Sequence, residues 1–254
     1  SRHPVKKDSS PYFSILIPSY NRPEYLKQCV ESIIQSDFED YEIIISDDNS
    51  PRAEEIRNVL RPFLKYKNIS FFEQNNNLKE PNNKNYLVDH AMGKYNIFIG
   101  DDDKLYPSAL QTIKRYITMH PENDLYAFGY TMIDENDQFY YSRTSPKAIE
   151  VSLENKTYVR HLFESTIFPF WLYHPATFCC KNGIEKKIRY SNSAGIGEDI
   201  LFLFDLINLK KRIYVIPESM FLWRKIQNQK SEGQMNQSLE DLSNILARKS
   251  ILYH

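Results

Sequence analysis

Three consecutive carboxylates close an apolar run in "NIFIGDDDKLYP" (96–107). Two neighbouring carboxylates about 5 Å apart repel by roughly 3 kcal/mol at an effective dielectric near 20. Either solvent screens Asp101, Asp102 and Asp103, or a cation neutralises them. Hard divalent cations such as Mg²⁺ and Mn²⁺ suit oxygen ligands of this kind. Two more polar clusters end apolar runs upstream, "PSYNR" (18–22) and "SDDNS" (46–50). Turns favour Asp and Asn on their own account. Three clusters holding seven acids and amides are harder to read as turns alone if one sheet edge gathers them.

The surrounding pattern predicts such an edge. "YFSILIP" (12–18), "YEIIIS" (41–46), "NISFFEQ" (68–74) and "YNIFIG" (95–100) read as short strands, the most apolar of them covered on both faces. Between them, apolar residues at Tyr25, Leu26, Cys29, Val30, Ile33 and Ile34 repeat at helical spacing, and helices are expected over 52–66 and 82–92. Alternating strand and helix predicts an α/β fold, a mostly parallel sheet flanked by helices, with its ligand crevice at the carboxyl ends of the strands. Beyond residue 104 the pattern loosens. A helix over 107–119, a strand in "DLYAFGYTMI" (124–133), another in "RIYVIPES" (212–219) and a C-terminal helix over about 236–252 are expected.

Bulk composition sets limits on function. The 254 residues suffice for one large domain, and 32 basic against 33 acidic residues give no support to general nucleic-acid binding. Cys29, Cys179 and Cys180 offer no zinc spacing and suit a reducing compartment. The polar start "SRHPVKKDSS" lacks a signal-peptide centre, and no run approaches the ~18 apolar residues of a membrane span. A soluble, cytoplasmic protein is expected on these grounds. Aromatics reach 14%, which suits sugar-binding surfaces as well as a bulky core.

"FSILIPSYNRPEYLKQCVESIIQSDFEDYEIIISDDNS" resembles the opening of a family 2 glycosyltransferase with the GT-A fold, a Rossmann-like α/β architecture with a mixed acceptor-binding part. "YNIFIGDDDKLYP" resembles that family's metal-binding DxD region, and "GIGEDILFLF" (195–204) its Gly-Glu-Asp motif. The resemblance covers roughly residues 12–204. It implies a flexible tail over 1–11, a nucleotide-sugar-binding half over 12–104, an acceptor-binding and catalytic half over 105–225, and a C-terminal helical extension over 226–254. The ragged tail and final helix also suit a piece of a longer chain.

The resemblance implies roles residue by residue. Pro18, Tyr20 and Asn21 line the nucleotide pocket, Tyr20 offering an aromatic face to a base. Asp48 accepts from the uracil imide, a charge-assisted contact, while Asp47 braces its loop. Lys84 stands where the family often carries Arg near the base or diphosphate; a solvated helix face is the plain alternative. Against the family pattern Asp-x-Asp-Asp, Gly100 takes the first acid's place. Asp102 is then the first metal ligand and Asp103 the next, with Asp101 at the variable position beside the nucleotide. An Asp101-x-Asp103 register is the other reading. The implied cofactor is Mn²⁺ or Mg²⁺.

On the acceptor side the resemblance implies Asp199 as catalytic base and Glu198 as an acceptor-holding group, although acids in a first helical turn also serve the helix dipole. His174 and Trp171 are candidate acceptor contacts, and Arg224 and Lys225 a candidate lid over the diphosphate. The implied activity is metal-dependent, inverting transfer from a UDP-sugar to a glycan or lipid-linked glycan in bacterial surface-polysaccharide synthesis. Peripheral contact with a membrane-borne acceptor is a further expectation. A nucleotidyltransferase is the rival enzyme class. It usually opens with a Gly-rich loop, and "PSYNRPEY" has no glycine. A non-catalytic sugar-nucleotide-binding module is the other rival.

Overall fold

The computed structural model describes residues 10–151, 178–191, 202, 205–206 and 209–226. The chain opens with β1 (Phe13–Ser19), α1 (Pro23–Ile34), β2 (Tyr41–Asp47), α2 (Ala53–Leu60), β3 (Ile69–Glu73), α3 (Glu80–His90) and β4 (Tyr95–Phe98). The four strands lie parallel in the order β3-β2-β1-β4, with Ile15 opposite Ile43 and Ile97. Side chains alternate across a strand, so consecutive apolar residues serve opposite faces. Ile15, Ile17, Ile43 and Ile45 pack with Leu26, Cys29, Val30 and Ile33 of α1 and with Ile56 and Leu60 of α2. Leu16, Ile44 and Phe98 face the other way, onto Leu87 and Val88 of α3. Burial on both faces is why these strands read as nearly unbroken apolar runs.

β5 (Lys104–Leu105), α4 (Ala109–Met119), β6 (Leu125–Asp134), β7 (Phe139–Arg143), β8 (Ile149–Val151), β9 (Phe178–Lys181), α5 (Asn182–Glu185) and β10 (Ile213–Lys225) follow. The sheet runs β3-β2-β1-β4-β9-β6-β10-β5, continuous across residue 104, with β7 added to β6 and β8 to β10. β9 is antiparallel to both β4 and β6, while β6 and β10 are parallel. The carboxyl ends of β1, β2, β4, β6 and β10 therefore share one edge. This is the mixed α/β architecture, a largely parallel sheet flanked by helices, that the sequence pattern predicts.

The elements expected from sequence form with shifted ends. The helix expected over 52–66 is helical as Ala53–Leu60 and continues in turns, and the one expected over 82–92 starts two residues earlier, at Glu80. The strand expected over 212–219 runs on to Lys225, six residues further. Register shifts at Val215/Ser219 and Ser219/Phe221 carry it past Pro217, as bulges allow a strand to do. Among the described residues no helix is long and apolar enough to cross a membrane. The helix expected over 236–252 lies outside the described residues.

Candidate active site

At the shared edge, Ser19 ends β1 beside Asp47 at the end of β2, and Ile99, Gly100 and Asp101 follow β4. The turn after each of the first two strands needs left-handed backbone, and asparagine supplies it: Asn21 has φ 61° and Asn49 φ 60°. Asn tolerates that region better than most residues. The Asn21 N–H donates to Ser50 Oγ at 2.8 Å, so the two turns are laced together. Tyr20, in the first of these turns, is 48% exposed.

The three carboxylates are all buried but do different things. Asp101 turns toward β1: its Oδ2 accepts from Ser19 Oγ and from the Tyr20 N–H, both at 3.0 Å, and its Oδ1 from Arg22 Nη1 at 3.1 Å. Asp103 Oδ1 accepts the backbone N–H of Arg224 at 2.9 Å. Asp102 Oδ2 pairs with Arg22 at 2.9 Å. Burial, then the charge of Asp102, pushes the Asp101 carboxyl up to about 7, against the pull of Arg22. The same two causes, in the same order, push Asp103 well above the usual carboxylate range. Such a site favours any added positive charge.

Gly100 has a steric reason. A Cβ there would lie 2.8 Å from Asp103 Oδ2 and 3.0 Å from Asp102 Oδ1, so a larger residue would enter the space between those two carboxylates. With Asp101 committed to the β1 turn, Asp102 and Asp103 offer the oxygen set that fits a hard divalent cation.

Asp47 accepts Ser50 N–H at 3.1 Å and also the Ser50 hydroxyl, which closes the β2 turn. Asp48, 5% exposed, accepts the backbone N–H of Leu78 at 2.6 Å and of Lys79 at 3.1 Å, one on each oxygen. Burial raises the pKa of both groups. Asp48 thus holds the loop before α3 and keeps a second lone pair on each oxygen for a further donor. Asn21 Oδ1 is buried with no hydrogen-bond partner.

Lys84 is not on a solvated helix face. It is 3% exposed, pairs with Glu80 at 3.2 Å and lies over the rings of Phe98 at 5.9 Å and Tyr190 at 5.4 Å. The next residue, Asn85, clasps Tyr190, its Nδ2 donating to the Tyr190 carbonyl at 2.8 Å and its Oδ1 accepting the Tyr190 N–H at 3.0 Å. This fixes the stretch that leads into "SNSAGIGEDI".

The lid expected at Arg224 and Lys225 is corrected for Arg224. The two residues end β10, and Arg224 is 1% exposed. Its guanidinium donates to the carbonyls of Asp102, Asp134 and Glu135 and to Gln28, and pairs with Asp137 at 2.8 Å. It braces the site and does not open over it. Lys225 is exposed. Trp171, His174, Glu198 and Asp199 lie outside the described residues.

Sequence reading missed Arg22 and Asp137 as partners of the acidic loop. Arg22 was open to detection: it is the basic residue in the turn after β1, and β1 neighbours β4. Asp137 sits in the "DENDQ" turn, and only the parallel pairing of β6 with β10 brings it to Arg224. A second group with metal-binding chemistry, His120, Glu122 and Glu150, lies at the opposite edge, where β6 starts, with its ligand atoms within 4.8 Å of one another.

The sequence profile described as Glycosyl transferase family 2 matches residues 14–183. Over 129 residues the chain is 36% identical to the GalNAc(5)-diNAcBac-PP-undecaprenol beta-1,3-glucosyltransferase of Campylobacter jejuni, matching 49% of this chain and 40% of that protein. Over 219 residues it is 26% identical to the minor teichoic acid biosynthesis protein GgaB of Bacillus subtilis, matching 84% of this chain and 23% of that protein. The chain therefore spans less than half the length of either relative. The crystal structure of S. aureus TarS 1-349 in complex with UDP superposes with a TM-score of 0.67 at 21% identity, covering 84% of this chain and 60% of that one.

Proposed function

As the chain belongs to glycosyl transferase family 2, we propose that it moves a sugar from a UDP-sugar to a glycan or lipid-linked glycan by direct, inverting displacement at the edge where β1, β2 and β4 end. The observation that carries the reading is the junction of the β1 turn with the acidic loop. Asp101 binds Ser19 and the Tyr20 N–H, so an exposed aromatic residue is tied to the loop that carries Asp102 and Asp103. A nucleoside diphosphate needs both features, a planar surface for its base and positive charge for its leaving group.

In this reading Tyr20 stacks on the base, Asp48 accepts from its imide, and Asn21 Oδ1 takes a further donor from the nucleotide. Asp102 and Asp103 hold Mn²⁺ or Mg²⁺, which supplies a Lewis acid for the departing diphosphate. Lys84, buried on α3, adds positive charge on that side. Asp199 takes the proton from the acceptor hydroxyl, and Glu198 orients the acceptor. Trp171 and His174 are candidate acceptor contacts. UDP is chosen because a neighbour of the same fold carries it. A surface-glycan or lipid-linked acceptor is chosen from the names of the two relatives.

The test is release of UDP from a panel of UDP-sugars with lipid-linked glycan acceptors, with anomeric configuration read by NMR. Acceptor-dependent release with inversion is expected, and its loss in Asp199→Asn. Release without an acceptor, or retention of configuration, would overturn the reading.

A further inference from the structure

Arg22 occupies the place of a cation. Its Nη1 lies 3.1 Å from Asp101 Oδ1 and 2.9 Å from Asp102 Oδ2, one nitrogen bridging two carboxylates. Those carboxylates are 5% and 10% exposed, whereas the Arg22 side chain is 39% exposed and reaches in from solvent. Arg224, the other guanidinium at the loop, differs in kind. It meets Asp102 through the carbonyl and Asp103 through its own backbone N–H, and its head is buried among carbonyls, Gln28 and Asp137. Of these two, only the Arg22 guanidinium sits on the carboxylate oxygens of the acidic loop and has a path away from them.

Arg22 and a divalent cation on Asp102 and Asp103 would draw on the same carboxylate, and two positive charges held on one buried carboxylate repel each other. Resting on the reading that Asp102 and Asp103 bind the cation, we propose that Arg22 is a built-in counter-ion which competes with the divalent cation for Asp102 and withdraws when it binds. Arg22 thereby keeps the acidic loop folded without metal and lowers the metal affinity of the nucleotide-free protein.

The sign of the prediction separates this role from a simple brace. Removing a competitor tightens metal binding, whereas removing a brace loosens the loop and weakens it. Mn²⁺ alone is titrated into the full chain, free ion being followed by electron paramagnetic resonance. Arg22→Gln is expected to bind Mn²⁺ about fivefold to tenfold more tightly than wild type, the scale of a partly buried ion pair. In EDTA it is expected to melt at a lower temperature, the difference closing as Mn²⁺ is added. Arg22→Lys, which keeps the charge but lacks the planar fork, is expected to fall between the two. Equal or weaker Mn²⁺ binding in both variants would overturn the proposal. So would absence of Mn²⁺ binding in wild type and variants alike, and in that case UDP release assayed in EDTA still judges the transferase reading separately.

Discussion

The backbone N–H of Arg224, at the end of β10, donates to Asp103 Oδ1 at 2.9 Å, and its side-chain Nε donates to the Asp102 carbonyl at 3.0 Å. A residue 121 positions away in sequence thus holds two consecutive members of the acidic loop. Sheet order is the cause: β4, β6 and β10 all run toward the same edge, with β9 between β4 and β6.

Arg224→Gln should therefore act on stability before anything else. It leaves the carbonyls of Asp102, Asp134 and Glu135 without their charged donor, at a cost of about 3 kcal/mol in urea unfolding. Lys225→Gln, at an exposed neighbour, should shift stability by under about 0.5 kcal/mol. Equal, small effects at both positions would contradict the bracing role.

Lys79 adopts φ 70° and ψ 154°, a region that is nearly exclusive to glycine. Its N–H is held by Asp48 Oδ2 and Asn77 Oδ1, which keep the strained turn in place before α3. Relief of one such residue is worth about 1–3 kcal/mol, less about 0.5–1 for the added freedom of glycine in the unfolded chain. Lys79→Gly should accordingly raise unfolding free energy by about 1 kcal/mol. A loss of stability would show that the lysine side chain matters more than its backbone.

How much of this was open to the sequence depends on what each feature needs. Strands β1, β2 and β4 were legible because burial on both faces leaves continuous apolar runs, and the polar turns after them marked the site edge. β9 is only Phe178–Lys181, too short for periodicity, and β5 is two residues long. The end of β10 was hidden because its bulges break the alternation at Pro217 and Ser219. Asp102 and Asp103 were legible as an acidic pair. Arg22 could have been found as a neighbour, being the basic residue in the turn after β1, but which carboxylates it bridges depends on where a loop side chain falls.

Glu185 gives a pH signature apart from the site. It is 1% exposed, accepts from Tyr190 Oη at 2.9 Å, and burial pushes its pKa up to about 8. The unfolded value is about 4.3. Between these values the folded chain holds a proton that the unfolded chain has lost, so stability falls as pH rises from about 4 to 8. The slope approaches about 1.4 kcal/mol per pH unit at most. Glu185→Gln, neutral at every pH, should be close to wild type at pH 5 and more stable than it at pH 8 by thermal unfolding. Parallel pH profiles for the two proteins would remove Glu185 as the source.

Isothermal titration of UDP into the full chain, with Mn²⁺ and again with EDTA, tests the donor site most directly, with Asp102→Ala as the paired variant. The account predicts UDP binding that needs the metal, is accompanied by thermal stabilisation through mass action, and falls at least tenfold in Asp102→Ala while the variant still unfolds cooperatively. UDP binding of equal strength in EDTA and in Asp102→Ala, or no binding under either condition, would contradict it.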